Sequence, residues 1–413
     1  MEEMTSKQAR RRNHNNTTTH SESDEAGMFT NLPRDIIYEI LSRLPIESVL
    51  RCMSVCKLWS TFPYDSYFID LHFNKSMMHH RPPTLVLTTS SSLFHNKVSS
   101  QLMVSAEEGE GGDWMKATHI PMGDFELLEG EYIDIVGSCN GFLCIVPWEG
   151  LVHICLYNPI TRETMKLPKS HLVLPPTNSS TKIVKAFGFG FGSLSKKYKV
   201  IVVYDLLDCK IIRYSEIITV GESSWRKLDV PTLSYDQLLA DPVLLDGTLY
   251  WLIIIDNDDY SRCVLALDID SEKFWTIDCC PLPIRRESIQ RRYLVPMDGS
   301  LALIDYYAYT NPWRLDIWLL EGSKTMGFSF TLTTYDMSEL VRWGDLFTVI
   351  GKHGHDTFLL NVCRIENWDP TLRSFILYSP TKKQQYFCVQ GGLYESDLEL
   401  RSWMVPSLKS LRL

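Results

Sequence analysis

A cysteine next to a tight turn is the first candidate for chemistry in this chain. The run Gly137-Ser138-Cys139-Asn140-Gly141 has the outline of a nucleophile elbow, in which a strained turn from a strand to a helix exposes an attacking side chain. Here residues suited to strands lie on both sides of Asn140-Gly141, a pair typical of a two-residue hairpin turn. Because such a nucleophile also needs a histidine and an acid beside it in space, we interpret Cys139 as a small buried apolar residue.

Histidines and carboxylates cluster at three points without forming a metal-site pattern. Neither the pair His79 and His80 nor the pair His353 and His355 has a third ligand at a typical spacing. The acidic run 256–259 lacks the glycine and the closing glutamate of a calcium loop. Eleven cysteines include no CxxC pair, which argues against zinc and indicates a reducing compartment. We therefore predict no metal, no cofactor, and a location in the cytoplasm, the nucleus or both.

Three alternating glycines in AFGFGFG (186–192) could suggest a phosphate-binding loop. Such a loop needs a following helix within a βαβ unit, whereas a turn and a strand, SLSKKYKVIVVY, follow here. Alternation at a period of two puts Phe187, Phe189 and Phe191 on one face of a strand and the glycines on the other. We predict that the glycine face packs closely against a neighbouring sheet.

Composition limits the classes of function and the number of domains. The chain has 413 residues, a net charge of −9 and 45% apolar residues, so it can bury a sizeable core but has no basic excess for binding nucleic-acid phosphates. No apolar run reaches the roughly 18 residues that a membrane span requires. Residues 1–27 are polar, and we predict that they are disordered. We expect neither nucleic acid nor a membrane as a partner.

From residue 82 onward the sequence is typical of short strands. Segments such as TLVLTTS, GFLCIV, KVIVVYD, CVLALDID and RLDIWLL are rich in β-branched and aromatic residues and are separated by Gly, Pro, Asn and Asp. We predict a large all-β domain over residues 76–410. Type I′ hairpin turns are predicted at three pairs, Asn140-Gly141, Asp246-Gly247 and Asp298-Gly299.

A weak repeat organises these strands. LYNPITRETMKLP, VGESSWRKLDVP, LDIDSEKFWTIDCCP, WLLEGSKTMGFSF and LYSPTKKQQYFCV each combine a strand, a polar turn and a strand with a bulky residue, and GEGGDWMKATHIP is a candidate sixth copy. Intervals of about 50–60 residues suit one four-stranded blade. The bulky residues are Trp114, Met165, Trp225, Trp275, Phe328 and Tyr386. We predict a β-propeller of about six blades; seven blades or a sandwich-like arrangement stay open.

Residues 31–62 are the helical part of the sequence. One apolar stripe contains Ile36, Ile37, Ile40, Leu41 and Leu44. Proline suits the start of a helix, so the first helix is predicted to begin at Pro33 and end at about Leu44, and Pro45 can open a second helix. The second helix has an apolar face of its own, and a third short piece is predicted over residues 56–62. Such a small unit cannot bury all of its apolar surface, so part of that surface needs a partner.

The order of these residues resembles the F-box. In that family the motif docks on the Skp-type adaptor of a cullin–RING ubiquitin ligase. The resemblance covers residues 28–75 and implies that twelve residues form either the adaptor contact or the core of the module: Leu32, Pro33, Ile36, Ile37, Ile40, Leu41, Leu44, Pro45, Leu50, Val55, Cys56 and Trp59. A small nucleic-acid-binding unit is the alternative, but it would need more basic residues than Arg51 and Lys57 on its later helices.

The strand region carries a second resemblance. SCNGFLCI, LYNPITRETMKLP, FGFGFGSLSKKYKVIVVY and SSWRKLD resemble, in the same order, the F-box-associated, kelch-related repeats of a large plant F-box family. Together the two resemblances imply a small all-α F-box module followed by a kelch-like propeller that binds protein clients.

The resemblance implies a non-catalytic substrate receptor of an SCF-type (Skp–cullin–F-box) ubiquitin ligase. Its partners would be the adaptor, through the adaptor the cullin and RING subunits, and an unidentified protein client marked for degradation. Tryptophan is enriched in binding hot spots, so three loop tryptophans are candidate client contacts: Trp148, Trp313 and Trp343. A non-degradative scaffold and a propeller enzyme, such as the copper oxidases that share this architecture, are the alternatives.

Overall fold

The structure, a computed structural model, shows a helical part and six β-sheets. It describes residues 32–78, 84–90, 99–106, 115–119, 133–147, 154–170, 182–207, 211–230, 237–254, 262–278, 289–307, 313–323, 327–340, 346–353, 357–366, 369–387, 398–404 and 409. The chain divides into two units, Met1–Lys75 and Ser76–Leu413. The predicted disordered tail lies outside the described residues.

Prolines open the first two helices, as the sequence predicts. The helices are α1 (Arg34–Leu41), α2 (Ile46–Cys52), a 3-10 helix (Trp59–Tyr64) and α3 (Ser66–Met78). Pro33 and Pro45 are the N-cap residues of α1 and α2. The prediction that α1 continues to about Leu44 is wrong by three residues, because the chain turns at Ser42, whose hydroxyl donates to the carbonyl of Glu39. Of the described helices, none has the length and apolar character needed to cross a membrane.

Helix α3 is the element of this region that sequence reasoning missed. The predicted third piece at 56–62 is instead a 3-10 helix shifted by about three residues, followed directly by α3. Asp65 precedes α3, and its carboxylate accepts a hydrogen bond from the N–H of Phe68 at 3.1 Å, as an N-cap residue does. The apolar side chains of α3 are spread around the helix, so they give no single stripe from which a helix could be predicted.

Twenty-four strands lie in the described residues and form six four-stranded sheets. Blade 1 contains β1 (Thr84–Ser90), β2 (Ser99–Ala106), β3 (Met115–His119) and β24 (Leu398–Met404). Blade 2 contains β4 (Ile133–Cys139), β5 (Phe142–Pro147), β6 (Cys155–Asn158) and β7 (Glu163–Lys166). Blade 3 contains β8 (Lys182–Gly192), β9 (Lys197–Leu207), β10 (Ile211–Thr219) and β11 (Arg226–Lys227).

The remaining blades have the same order of strands. Blade 4 contains β12 (Gln237–Leu245), β13 (Thr248–Ile254), β14 (Arg262–Asp268) and β15 (Lys273–Asp278). Blade 5 contains β16 (Ile289–Met297), β17 (Ser300–Tyr307), β18 (Arg314–Ser323) and β19 (Gly327–Asp336). Blade 6 contains β20 (Leu346–His353), β21 (Thr357–Glu366), β22 (Asp369–Ser379) and β23 (Gln384–Phe387).

The inner strands arrange the blades in a ring. β24 neighbours β4, and each inner strand then neighbours the next in the order β4, β8, β12, β16 and β20. β24, from the C-terminal end of the chain, pairs antiparallel with β1 and so completes the first blade. This radial arrangement leaves only short sheet edges. The predicted propeller of about six blades is confirmed.

The repeat found in the sequence marks the outer strand of each blade. Met165, Trp275, Phe328 and Tyr386 lie in β7, β15, β19 and β23. Trp225 immediately precedes β11, whereas Trp114 lies outside the described residues. In the five blades where the bulky residue is described, it lies in the outer strand or directly before it, so the spacing of the repeat follows the spacing of the blades.

The predicted type I′ turns are present at one end of the propeller. Both residues have positive φ in Asn140-Gly141, Asp246-Gly247 and Asp298-Gly299, which join the first two strands of blades 2, 4 and 5. We call the end of the propeller that carries these turns the hairpin end. Contacts between blades occur there: Lys352 Nζ of blade 6 lies 2.5 Å from the carboxylate of Asp298.

The core lies between the blades. Apolar clusters join blades 2 and 3, blades 3 and 4, blades 4 and 5, and blades 5 and 6. Blades 3, 4 and 5 are thus covered on both faces. This explains the fully apolar runs in strands such as β9 and β17. Blade 5 adds a buried polar row across its strands, formed by Arg292, Asp305 and Asp316 at matching register positions.

Candidate functional site

Helix α1 carries two apolar rows that differ in exposure. Ile37 and Leu41 are one turn apart and are only 2% and 3% exposed. Ile36 and Ile40 are also one turn apart, on the adjacent face, and are 48% and 49% exposed. The stripe that predicted this helix is therefore wider than the surface that the chain itself covers. Exposed apolar side chains in such a row are typical of an interaction site.

Burial sorts the twelve predicted adaptor residues into three groups. Two are buried and belong to the core: Ile37 and Leu41. Five are half-buried: Leu32, Leu44, Leu50, Cys56 and Trp59. Five are exposed: Pro33, Ile36, Ile40, Pro45 and Val55. Sequence reasoning could not separate contact from core, and burial now favours the exposed and half-buried groups as contacts; their role in binding stays a prediction.

An aromatic cluster fixes α1 against the elements that follow it. Tyr38 is buried, and its ring meets the rings of Phe62 and Phe68 at centroid distances of 4.8 and 5.1 Å. Aromatic pairs at these distances add about 0.5–1.5 kcal/mol beyond burial. None of the three was among the predicted site residues, because sequence reasoning took Ile and Leu as the defining residues of the stripe.

Arg34 and Asp65 tie the start of α1 to the start of α3. Arg34 Nη2 donates to Asp65 at 2.8 Å, and Arg34 Nε donates to the hydroxyl of Tyr38 at 2.8 Å. The N–H of Phe68 lowers the pKa of the Asp65 carboxyl, against the opposing effect of burial, so Asp65 is ionised when it pairs with Arg34. A signal was available for Asp65, which precedes an apolar helical segment as N-cap residues do.

A histidine supports the turn between α1 and α2. His72 is buried in α3, and its Nε2 lies 3.0 Å from the carbonyl oxygen of Leu44. That carbonyl precedes Pro45, at a point where neither helix can satisfy it. The contact links α3 to the turn between α1 and α2.

The structure describes one of the three tryptophans predicted to contact a client. Trp148 and Trp343 lie outside the described residues. Trp313 is half-buried at the start of β18; its ring stacks on Tyr306 at 6.5 Å, and its carbonyl accepts from Met337 at 2.8 Å. These contacts show that Trp313 takes part in the packing of blade 5 toward blade 6. Its role as a client contact stays a prediction.

Packing explains Cys139, the candidate nucleophile. Cys139 is buried, ends β4 before a turn into another strand, and burial raises the pKa of its thiol to about 12. A thiol with that pKa is not a nucleophile at neutral pH. Within the ranges that the structure covers, no group of three His, Cys, Asp or Glu side chains could hold a metal ion. His79, His80, His355 and residues 256–259 lie outside those ranges.

The glycine-rich strand β8 is a packing device, as predicted. Phe187 and Phe189 are buried toward blade 2, and the glycines face blade 4. A Cβ on Gly188 would lie 2.7 Å from Leu249 and 2.9 Å from the Trp251 ring. Blades 3 and 4 can approach this closely only because the side chains are missing.

Comparisons with known proteins agree with this architecture. The family described as F-box associated beta propeller domain matches residues 90–389, and the F-box domain matches residues 29–69. In Arabidopsis thaliana, F-box protein At3g07870 is 25% identical over 86% of this chain and 86% of its own length. Putative F-box protein At1g47790 is 25% identical over 90% of this chain and 88% of its own length. F-box/kelch-repeat protein At3g23880 is 23% identical over 76% of this chain and 82% of its own length.

The match to the propeller family extends over more than half of the chain, and it coincides with the sheets seen in the structure. The match to the F-box domain coincides with the helices and with the exposed row on α1. Both resemblances are thereby confirmed. The chain belongs to the family of plant-type F-box proteins that carry an F-box associated beta propeller domain.

Proposed function

We propose that this protein is the substrate-recognition subunit of an SCF-type ubiquitin ligase. Its helical unit docks on a Skp-type adaptor, which connects it to cullin and RING subunits. Its propeller holds a protein client for ubiquitination and degradation. The chain itself is non-catalytic, because the ubiquitin chemistry belongs to other subunits, and it acts in the cytoplasm, the nucleus or both.

The exposed row on α1 is the observation that carries this proposal. Ile36 and Ile40 project from a helix whose other apolar row is already buried, so burial of the exposed row needs another protein. A specific interface buries about 800 Å² on each partner. Val55 and Leu58, which follow α2, are further exposed apolar side chains available to such an interface.

Bringing a client and a ligase onto one chain has a physical advantage. When both sites belong to the same molecule, ubiquitin transfer to the client becomes an intramolecular event with a raised effective concentration. The propeller suits the client side, since its blades are held by continuous apolar clusters and its surface turns are therefore presented by a rigid body.

A pull-down with a purified Skp-type adaptor tests the adaptor part. We expect Ile36→Ala/Ile40→Ala to lower adaptor affinity at least tenfold, because two apolar anchors are lost from the interface. The matched control is Leu332→Ala, which removes a similarly exposed apolar side chain, 42% exposed, from β19 of the propeller. Equal adaptor binding by the wild type and the α1 variant would refute the assignment.

A second measurement tests the degradative role. Removing the protein from cells should raise the level of any client that the propeller captures, and proteasome inhibition should have the same effect. Client levels that do not respond, in cells where adaptor binding is intact, would favour the non-degradative scaffold.

A further inference from the structure

The turn between β8 and β9 differs from the corresponding turns of its neighbours. Gly192 pairs with Lys197, so residues 193–196 form a four-residue turn. Blades 2, 4 and 5 use two-residue turns at the same place. The β8–β9 turn is therefore longer than these three turns, and its tip carries Leu194.

Leu194 is the most exposed large apolar side chain among the described residues, at 86%. A single exposed leucine needs no explanation by itself. The features to explain are that this one stands on an extended turn, and that two lysines follow it.

Asp270 of blade 4 fixes this turn from outside blade 3. Its carboxylate accepts from the backbone N–H of Leu194 at 2.9 Å and from that of Ser195 at 2.8 Å. Burial alone would raise the pKa of Asp270, but hydrogen bonds from Ser195 and Leu194, with the charge of Lys199, lower it to about 2. The carboxylate is thus ionised at neutral pH, and such charge-assisted bonds are stronger than neutral ones.

Gly192 leaves space for the Asp270 carboxylate. A Cβ on Gly192 would lie 2.3 Å from Asp270 Oδ1 and 2.3 Å from the Ser195 hydroxyl. Lys199 adds a second hold, since its Nζ donates to the carbonyl of Ile269 at 2.7 Å and to Glu272 at 2.8 Å. Asp270 thus holds the turn itself to blade 4, and Lys199 holds the adjoining part of β9 to the same blade.

Lys196 and Lys197 are exposed on the same turn. Neither forms an ion pair with any described residue. The protein as a whole is acidic, with a net charge of −9, so this small basic site stands out from the overall charge. A partner that covers Leu194 would gain from carboxylates placed opposite the two lysines.

We propose that the β8–β9 turn is a docking site for an acidic protein segment, in which Leu194 enters an apolar pocket and Lys196 and Lys197 face carboxylates around that pocket. The assignment of this segment to the client rests on the proposed function. Fixing the turn before binding lowers the entropy cost of association, which gives the contacts of Asp270 a role in recognition beyond joining two blades.

The test uses the full chain and a phage-displayed library of random peptides. We expect selection to enrich peptides that combine apolar residues with Asp or Glu. Synthesised peptides from that set should bind Leu194→Ser at least tenfold more weakly than the wild type. They should bind Lys196→Glu/Lys197→Glu more weakly still at low salt, because attraction becomes repulsion. Leu332→Ser is the matched control and should bind as the wild type does.

Four results would overturn the proposal: no enriched peptide, enrichment of basic peptides, peptides that bind Leu194→Ser as well as they bind the wild type, or peptides that lose affinity equally in Leu332→Ser. Vesicles of phosphatidylserine and phosphatidylcholine form a separate arm. Sedimentation of the wild type with these vesicles, lost in Leu194→Ser, would assign the turn to a membrane surface and would also overturn it.

Adaptor affinity, measured on the same preparations, separates this proposal from the proposed function. Leu194→Ser should leave adaptor affinity unchanged. If adaptor binding is normal but the peptides bind Leu194→Ser as well as the wild type, the docking-site proposal is refuted and the proposed function is not. If the peptides bind Leu194→Ser more weakly than the wild type but the wild type does not bind the adaptor, the ligase assignment is refuted and the docking site is not.

Discussion

The helical residues and the propeller differ in how many of their large apolar side chains are exposed. Of nine large apolar side chains that are exposed among the described residues, seven lie within residues 32–78 and only Leu194 and Leu332 lie in the propeller. Blades 3, 4 and 5 are covered on both faces by their neighbours, whereas Ile36 and Ile40 of α1 are about half exposed. We therefore propose that a partner completes the helical surface, whereas the propeller presents single exposed side chains, such as Leu194 on its fixed turn.

The largest expected effect is a loss of stability in the propeller that leaves the helical unit unchanged. Asp305 is fully buried and accepts from Arg292 Nη2 at 2.6 Å and from Trp318 Nε1 at 3.2 Å. Asp305→Ala removes the carboxylate that accepts from the buried Arg292 guanidinium, so we expect a loss of about 3–5 kcal/mol in the free energy of unfolding. Urea denaturation followed by tryptophan fluorescence measures it.

The double variant Arg292→Leu/Asp305→Leu is the control for that result, because removing both charges avoids the unpaired ion. It should be more stable than Asp305→Ala. A single variant as stable as the wild type would show that the buried row contributes nothing, and a loss of adaptor binding in either variant would contradict the independence of the two regions.

Close packing of blades 3 and 4 gives the next effect. Gly188→Ala places a Cβ against the stiff, buried ring of Trp251, and overpacking of this kind costs about 1–3 kcal/mol. Gly137→Ala, in the inner strand of blade 2, is the matched control, since its Cβ would meet its nearest atom at an ordinary 3.6 Å. Thermal unfolding of the two variants should differ accordingly; equal midpoints would contradict the packing argument.

The next expected effect is smaller and lies in the helical unit. Tyr38→Phe removes the hydroxyl that accepts from Arg34 Nε and keeps the aromatic contacts with Phe62 and Phe68. We expect a loss of about 1 kcal/mol, confined to the helical unit. Hydrogen exchange of α1 should become faster while that of the propeller strands is unchanged; faster exchange in both regions would show that they are coupled.

The smallest expected effect is a loss of stability in acid, at the contact between blades 3 and 4. Hydrogen bonds from Arg226 and Lys199, against the opposing effect of burial, lower the pKa of Glu272 from 4.5 to about 2. Because the folded pKa is depressed, the contribution is complete above pH 4.5 and is lost as pH falls towards 2. Urea midpoints measured across this range should fall less steeply in Glu272→Gln; an unchanged slope would exclude this carboxylate.

The features that sequence reasoning found are local ones. Enrichment in β-branched and aromatic residues identified the strands, Asn-Gly and Asp-Gly pairs identified the turns, and the spacing of a bulky residue along the sequence gave the number of blades. The pairing of β24 with β1 joins residues more than 300 apart in sequence, so no local pattern could reveal how the ring closes. The charge contacts between blades, such as Lys199 with Glu272, are hidden for the same reason.

The candidate site was predictable in outline but not in orientation. The stripe on α1 was visible as a periodicity, yet a stripe alone does not tell which side chains face the core. That division is seen only in the folded unit, where Ile37 and Leu41 are buried and Ile36 and Ile40 are exposed. The importance of Leu194 was hidden as well, because its exposure is fixed by Asp270 from another blade.

Hydroxyl-radical footprinting of the full chain, with and without a purified Skp-type adaptor, tests the central claim most directly. Adaptor binding should protect Ile36 and Ile40 from labelling, while the reactivity of Leu194 and Leu332 should stay the same with and without the adaptor. A bound adaptor that leaves Ile36 and Ile40 fully labelled would contradict this claim.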